Sequence, residues 1–274
     1  MKKNIGQTIK ITVIEVLKDT KEVAVGIADI VNAATVKALK DGRNAGTGVA
    51  SVVAEAMSGA IQSAGEIGSD LTTVTKNSIV GIIRGVHGAG SVATDVIRET
   101  VRVAVKGTSK IGGDITSVTK SVVVGAIKGT RDIAGSAEEA AAEAAQGIIR
   151  GISEIGADAG LAAKNTVKGA IGGVAEAGGR LAAVIKDTSK GLVLGASELG
   201  EDVASVAKNA VLGAIEAAKE LGLSAEEAAS AAATGAFEAA KLIGGETGSA
   251  IRKAITGTIG GMKVMIKRPF KKEK

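Results

Sequence analysis

The chain has 274 residues, a net charge of +5, 39 glycines, one proline, one His, two Phe, and no Cys, Trp or Tyr. Hydrophobic residues make up 45% and aromatics 1%, so the apolar content is almost all Ala, Val, Ile and Leu. That excludes a disordered linker, which lacks such hydrophobicity, a collagen, which needs a three-residue glycine period, and any thiolate metal site or disulfide framework.

Three regions follow in chain order: divergent helical repeats at 1–47, regular 22-residue repeats at 48–267, and a basic tail at 268–274. Met1-Lys2-Lys3 has the charge of a signal-peptide start, but Lys10, Glu15 and Lys18 interrupt the apolar stretch that should follow. No uncharged run reaches 18 residues, so no simple transmembrane helix is predicted. The lack of cysteine fits a cytoplasmic protein, and that location, at the periphery of a membrane where a coat forms, is the expectation.

The repeat is the strongest signal. Gly59, Gly81, Gly125, Gly147, Gly169, Gly191, Gly213, Gly235 and Gly257 share one 22-residue grid, and Val103 fills the skipped slot. Nine residues further on run Gly68, Gly90, Gly112, Gly156, Gly178, Gly200, Gly222 and Gly244, with Ala134 in the gap. With Asp70 as position 1, twelve units cover residues 4–267. The units from Asn4 and Gly26 fit least well. Asp70, Asp114, Asp158 and Asp202 open the most similar units, 44 residues apart, so the working repeat is 44 residues in two halves.

Helix is the predicted conformation. Glu139–Ala145 and Ser224–Ala233 are strong helix formers and lie on the same grid as the Val-rich units. In the Asp202 unit, Val203, Val206, Ala210, Val211, Gly213, Ala214, Ile215, Ala217, Ala218 and Leu221 form an apolar arc of about 200°. Position 11 breaks the pattern: it holds Val80, Val124 or Leu212 in some units and Arg102, Lys168 or Lys190 in others. The string acid, Ile or Leu, Gly, any residue, Asp or Ser recurs, as in Glu66-Ile-Gly-Ser-Asp70, and reads as a helix stop followed by a start. Ser224 with Glu227 adds a capping box. The fold expected is all-α: about twelve helices of roughly 28 Å, paired into 44-residue hairpins. Long continuous helices with an 11-residue period are the alternative.

A glycine inside a helix costs about 1 kcal/mol relative to alanine, so its recurrence needs a reason. Gly81/Gly85, Gly125/Gly129, Gly147/Gly151, Gly169/Gly173, Gly191/Gly195 and Gly257/Gly261 are small-xxx-small pairs, and Gly213 and Gly235 extend the series. They are read as helix-packing residues that let two backbones approach. Such packing also accounts for a core without rings.

Chemistry is sparse. His87 falls on the polar arc without a catalytic partner type. Glu138/Glu139 and Glu226/Glu227 sit at helix starts, where they suit the helix dipole. Gly88-Ala-Gly90 with Ala93 echoes a dinucleotide loop but lacks the strand before it. No catalytic residue, cofactor, metal or small-molecule substrate is expected, and the protein is read as no enzyme. Lys76, Lys120, Lys164 and Lys208 recur at position 7, and Glu66, Asp132, Glu154, Glu176, Glu198 and Glu220 at position 19. They read either as registry between stacked helices or as a solvated polar face.

Charge is uneven. Residues 1–136 hold 17 Lys/Arg against 12 Asp/Glu (net +5), 137–262 hold 11 against 16 (net −5), and 263–274 hold 6 against 1 (net +5). Lys263, Lys267, Arg268, Lys271, Lys272 and Lys274 form the basic end, which would contact an anionic membrane. Nucleic acid is not the favoured partner, since no aromatic platform accompanies the charge.

Residues 48–267, as 22-residue units made of two elevens, resemble exchangeable apolipoproteins and, more loosely, perilipin-like, phasin-like and late-embryogenesis-abundant proteins. Gly with Asp or Ser stands here where apolipoproteins use Pro. The resemblance implies amphipathic helices at a lipid surface and assigns no individual residue. The function expected is structural: helices that self-associate into a homo-oligomer and coat or scaffold a membrane or other hydrophobic surface. A purely proteinaceous self-assembling scaffold or filament is the alternative.

Overall fold

A computed structural model describes residues 5–19, 23–43, 48–91 and 94–266. Twelve helices lie in these segments. They are α1 (Ile5–Asp19), α2 (Val23–Arg43), α3 (Val49–Ile67), α4 (Leu71–Gly88), α5 (Thr94–Lys110) and α6 (Ile115–Asp132), followed by α7 (Ala137–Glu154), α8 (Ala159–Ala177), α9 (Leu181–Leu199), α10 (Val203–Glu220), α11 (Ala225–Ile243) and α12 (Gly245–Ala254). A two-stranded hairpin, β1 (Gly257–Ile259) and β2 (Met262–Val264), follows. The hairpin reading of the repeat holds, and the long-helix alternative does not.

The stops and starts are local. Asp70 accepts from the backbone N–H of Thr72 at 2.9 Å and of Thr73 at 3.3 Å, capping α4. Asp114, Asp158, Asp202, Ser136 and Ser224 do the same for α6, α8, α10, α7 and α11. At the C-terminal ends the residue on the second grid has positive φ, from 58° at Ala134 to 77° at Gly178. In seven of these turns the next N–H donates back five residues, as Gly113 does to the Thr108 carbonyl at 2.9 Å and Leu223 to that of Ala218 at 2.8 Å. That bond closes the last turn and satisfies a carbonyl the helix leaves open.

Ala134 is the one non-glycine residue with positive φ among the described residues. A left-handed conformation costs an L-residue about 1–2 kcal/mol, and part of that is offset because glycine frees the unfolded chain. Ala134→Gly is therefore expected to raise stability by about 0.5–1 kcal/mol. The urea midpoint checks it; an unchanged or lower midpoint would show that the turn carries no such strain.

Helices stack in two layers. Odd-numbered helices pack each on the next odd one and even on even, while consecutive helices meet across the layers. Within a layer neighbours are parallel: Gly125 of α6 faces Lys76 of α4, and four residues on Gly129 faces Val80 and Ile83. The arrangement is an α-solenoid advancing by one 44-residue pair at a time.

The apolar arc is spent between the layers and along the seams. Of the Asp202 unit's arc, all but Leu221 is buried. The core is mostly Ala, Val and Ile, with Met57 and Leu192 also fully buried in it. Small side chains let thin helices interdigitate at ordinary interior density.

Both ends depart from the repeat. The twelfth unit stops being helical at Ala254, and Gly257 and Gly261 lie in the hairpin with φ of 97° and 79°. They are not helix-packing residues. Gly260 and Gly261, both at positive φ, supply the two-residue turn that matches strand twist. Register pairs Gly257 with Val264 and Ile259 with Met262. The hairpin lies on the last full repeat: Gly260 sits over Leu212 and Ile215, and Phe237 is flanked by Lys241 and Arg252 at 4.6 and 5.5 Å.

Candidate functional site: the helix seams and the cleft at Val103

Each seam between parallel neighbours is built on the first glycine grid. A Cβ built on Gly125 would stand 2.7 Å from the carbonyl oxygen of Lys76. Gly169 and Gly191 give 2.6 Å to the carbonyls of Lys120 and Ala142. Gly147, Gly213 and Gly235 meet the carbonyls of Arg98, Lys164 and Lys186 in the same way, and Gly81 that of Ala28. The second glycine of each pair seats the following turn. Gly85 lies against Thr35, Gly129 against the Cα of Val80, Gly151 against Val105, Gly173 against Ile127, and Gly195 more loosely against Gln146. From α6 onward position 12 of one helix thus meets position 7 of the helix two earlier, while in the α2–α4 seam Gly81 meets Ala28 at position 3. The side chain is missing because backbone occupies its place.

Charged residues line the outer edge of these seams. Each acid at position 19 pairs with a cation from an earlier helix. Asp132 bonds Arg84 at 2.5 Å, Glu154 bonds Arg102 at 2.9 Å, Glu198 bonds Arg150 at 3.2 Å, Glu220 bonds Lys168 at 2.6 Å, and Glu66 pairs with Lys10. Glu176 reaches further, across α6, to Lys76 of α4 at 3.3 Å. The position-19 acids therefore mark registry between stacked helices, while of the recurring lysines Lys76 and Lys164 are ion-paired and no ion pair of Lys120 or Lys208 appears among the described residues. Position 11 is explained by the same seam: it is a buried Val80 or Val124 in α4 and α6, and an ion-paired Arg102, Lys168 or Lys190 in α5, α8 and α9. Partly exposed pairs contribute about 0–1 kcal/mol each, so they select the register rather than supply the bulk of stability.

These pairs set an acid dependence. Burial pushes the Glu216 carboxyl up, but hydrogen bonds from Lys164 and Lys168 prevail and hold it below its ordinary 4.5. Glu154 behaves alike, with burial opposed by Lys106 and Arg102. The Ser117 hydroxyl holds Asp114 below its ordinary 3.8. A carboxylate depressed in the folded state binds fewer protons there than in the unfolded chain, so stability rises with pH in that range. The contribution is complete above the unfolded values and lost as pH falls through the folded ones. The thermal midpoint is expected to be flat above about pH 5.5 and to fall progressively below about pH 4.5. A midpoint independent of pH down to about 3 would show that the pairs do not form in solution.

One seam is different. Val103 occupies position 12 of α5, and α3 and α5 pack less closely than the later same-layer neighbours up to α11. A cleft of about 210 Å³ opens between them. Its aliphatic lining is Ile61, Val103 and the exposed Ile111, with Ser58 and Gln62 contributed by α3 and Arg102, Lys106 and Lys110 by α5. Gly107, at position 16, still approaches Ile61, with a built Cβ 3.1 Å from its Cδ1. The signal was in the sequence as the skipped grid slot, but its consequence needed the helix two earlier to be known.

Of the basic end, Lys263 lies exposed on β2. Lys267, Arg268, Lys271, Lys272 and Lys274 lie outside the described residues. Among the described residues no group of three or more His, Asp or Glu side chains is placed to hold a metal ion. None of the described helices is long and apolar enough to cross a membrane. His87 is exposed in the last turn of α4. No protein-family model matches the chain, and no curated protein matches its sequence.

Proposed function

We propose that the chain is an α-solenoid scaffold that works through the outer surfaces of its two layers, not through bond chemistry. The observation that carries this is how the solenoid ends. Position 12 faces the helix two earlier in the regular seams, and α1 and α2 are the first two described helices. There the slot holds Glu15 and Lys37, both exposed, and Asp41 takes the second glycine's slot in α2. Charged side chains at these places oppose the close approach that every regular seam uses. At the other end α12 and the β-hairpin lie over α10 and α11. Polar or dedicated terminal units are what keep a repeat array soluble and finite. The described glycines of the first grid from Gly81 to Gly235 face a neighbouring helix of the same chain, which supports this reading over packing between copies.

Sedimentation equilibrium of the full chain tests the reading. A single species of 27.0 kDa is expected at all concentrations. Concentration-dependent polymers would replace it with the self-assembling scaffold. A lipid-coat role draws on the exposed Leu161, Leu199, Leu221, Leu242 and Met265, together with the basic C-terminal end. Flotation with anionic vesicles at low salt separates the two: the scaffold stays with the soluble fraction, and co-flotation would favour the coat.

A further inference from the structure

The geometry points to the α3–α5 cleft as a binding site for a small amphiphilic anion, such as a short-chain carboxylate. In α4 and in α6 to α11 position 12 is a glycine against a backbone carbonyl, whereas in α5 it is Val103, whose side chain lines the cleft. The opening is two-sided in chemistry. Its floor is aliphatic, through the buried Ile61 and the half-buried Val103, with the exposed Ile111 at its edge. One rim carries Arg102, Lys106 and Lys110, spaced by four so that all three share one face of α5. The lining contains no carboxylate.

The cations are not equally committed. Arg102 bonds Glu99 and Glu154, and Lys106 bonds Glu154. No ion pair of Lys110 appears among the described residues, and it is exposed at the mouth. A carboxylate headgroup would meet Lys110 first, with Lys106 behind it and the Ser58 hydroxyl and Gln62 amide opposite as further donors. The alkyl chain would lie on the aliphatic floor. A volume of about 210 Å³ is below that of sites for drug-sized ligands, which run from roughly 300 Å³. The occupant is therefore small, and a chain of a few carbons suits it better than a phospholipid.

Isothermal titration of the full-length protein with octanoate, and separately with inorganic phosphate, tests this. Octanoate is expected to bind at one site per chain, with phosphate weaker by at least about tenfold because it leaves the floor uncovered. Val103→Gly restores the grid and closes the cleft, and should weaken octanoate by about tenfold or more. Ser58→Leu fills the cleft from α3 without touching α5 and should do the same, which covers the case where the first variant does not fold. Lys110→Gln should cost several-fold. Three results would each overturn the assignment: no octanoate binding, binding unchanged in a folded cleft-closing variant, or phosphate binding as tightly as octanoate.

Discussion

Gly169→Val is expected to lower stability by about 2–3 kcal/mol, while Gly172→Ala, three residues on in the same helix, raises it by up to about 1 kcal/mol. The two glycines share a helix and differ only in what they face. A Cβ on Gly169 would stand 2.6 Å from the Lys120 carbonyl oxygen and 2.9 Å from its Cα, and both atoms belong to the backbone of α6. Backbone in the middle of a packed helix cannot turn aside as a side-chain tip can. The two helices must separate, and contacts along the whole seam weaken. Val103 shows what separation looks like, since the α3–α5 cleft lies beside it. A Cβ on Gly172 meets nothing within 4 Å, so only the helix-propensity gain remains. Urea unfolding of the two variants beside the parent measures both signs. Equal effects from the two substitutions would mean that glycine here reflects composition and not packing.

Ile127→Ala should cost about 3–4 kcal/mol, within the range for large-to-small changes in a packed core. Ile127 is fully buried in α6, and its Cδ1 lies 2.8 Å from where a Cβ on Gly173 of α8 would be. The seam is a fitted pair: a large residue on one helix fills the space that a glycine leaves on the next. The pair should therefore couple. Gly173→Ala is crowded in the parent by Ile127, but in the Ile127→Ala background the added methyl partly refills the cavity. A double-mutant cycle is expected to give a coupling of about 1 kcal/mol in the favourable direction. Strict additivity would show that the two residues do not meet.

Much of the fold was legible in the sequence because its cues are local. A helix ends where the grid places a glycine able to take positive φ, and the next begins where Asp or Ser can accept the first free N–H groups. Those interactions span two to six residues, so a single unit such as Glu198–Asp202 displays them in full. The apolar arc is equally local, because it follows from 3.6 residues per turn. The C-terminal hairpin was also announced, by Thr258-Ile-Gly-Gly-Met-Lys-Val264 with its alternation around Gly-Gly. It was missed because the 22-residue grid runs on through Gly257, and a glycine serves a strand turn as readily as a helix seam.

What the arc and the glycines face was not local. An amphipathic helix of this kind buries the same apolar stripe whether it lies on lipid or on another helix, and its sequence is the same in both cases. The stacking step decided between them. From α6 onward position 12 meets position 7 of a residue stretch about one hairpin earlier, and no short-range pattern contains that pairing. The same step paired the position-19 acids with cations of earlier helices and placed Val103 in the lining of a cleft.

The sequence by itself therefore determined the helices, their lengths and their turns, since each depends on backbone conformation and capping within a few residues. Only the tertiary structure decided that the helices form two parallel-stacked layers, that most of the arc examined in the Asp202 unit is consumed inside the chain, and that the Val103 slot is open. Those outcomes depend on contacts between residues about 50 positions apart, where close backbone approach, excluded volume and charge pairing act together.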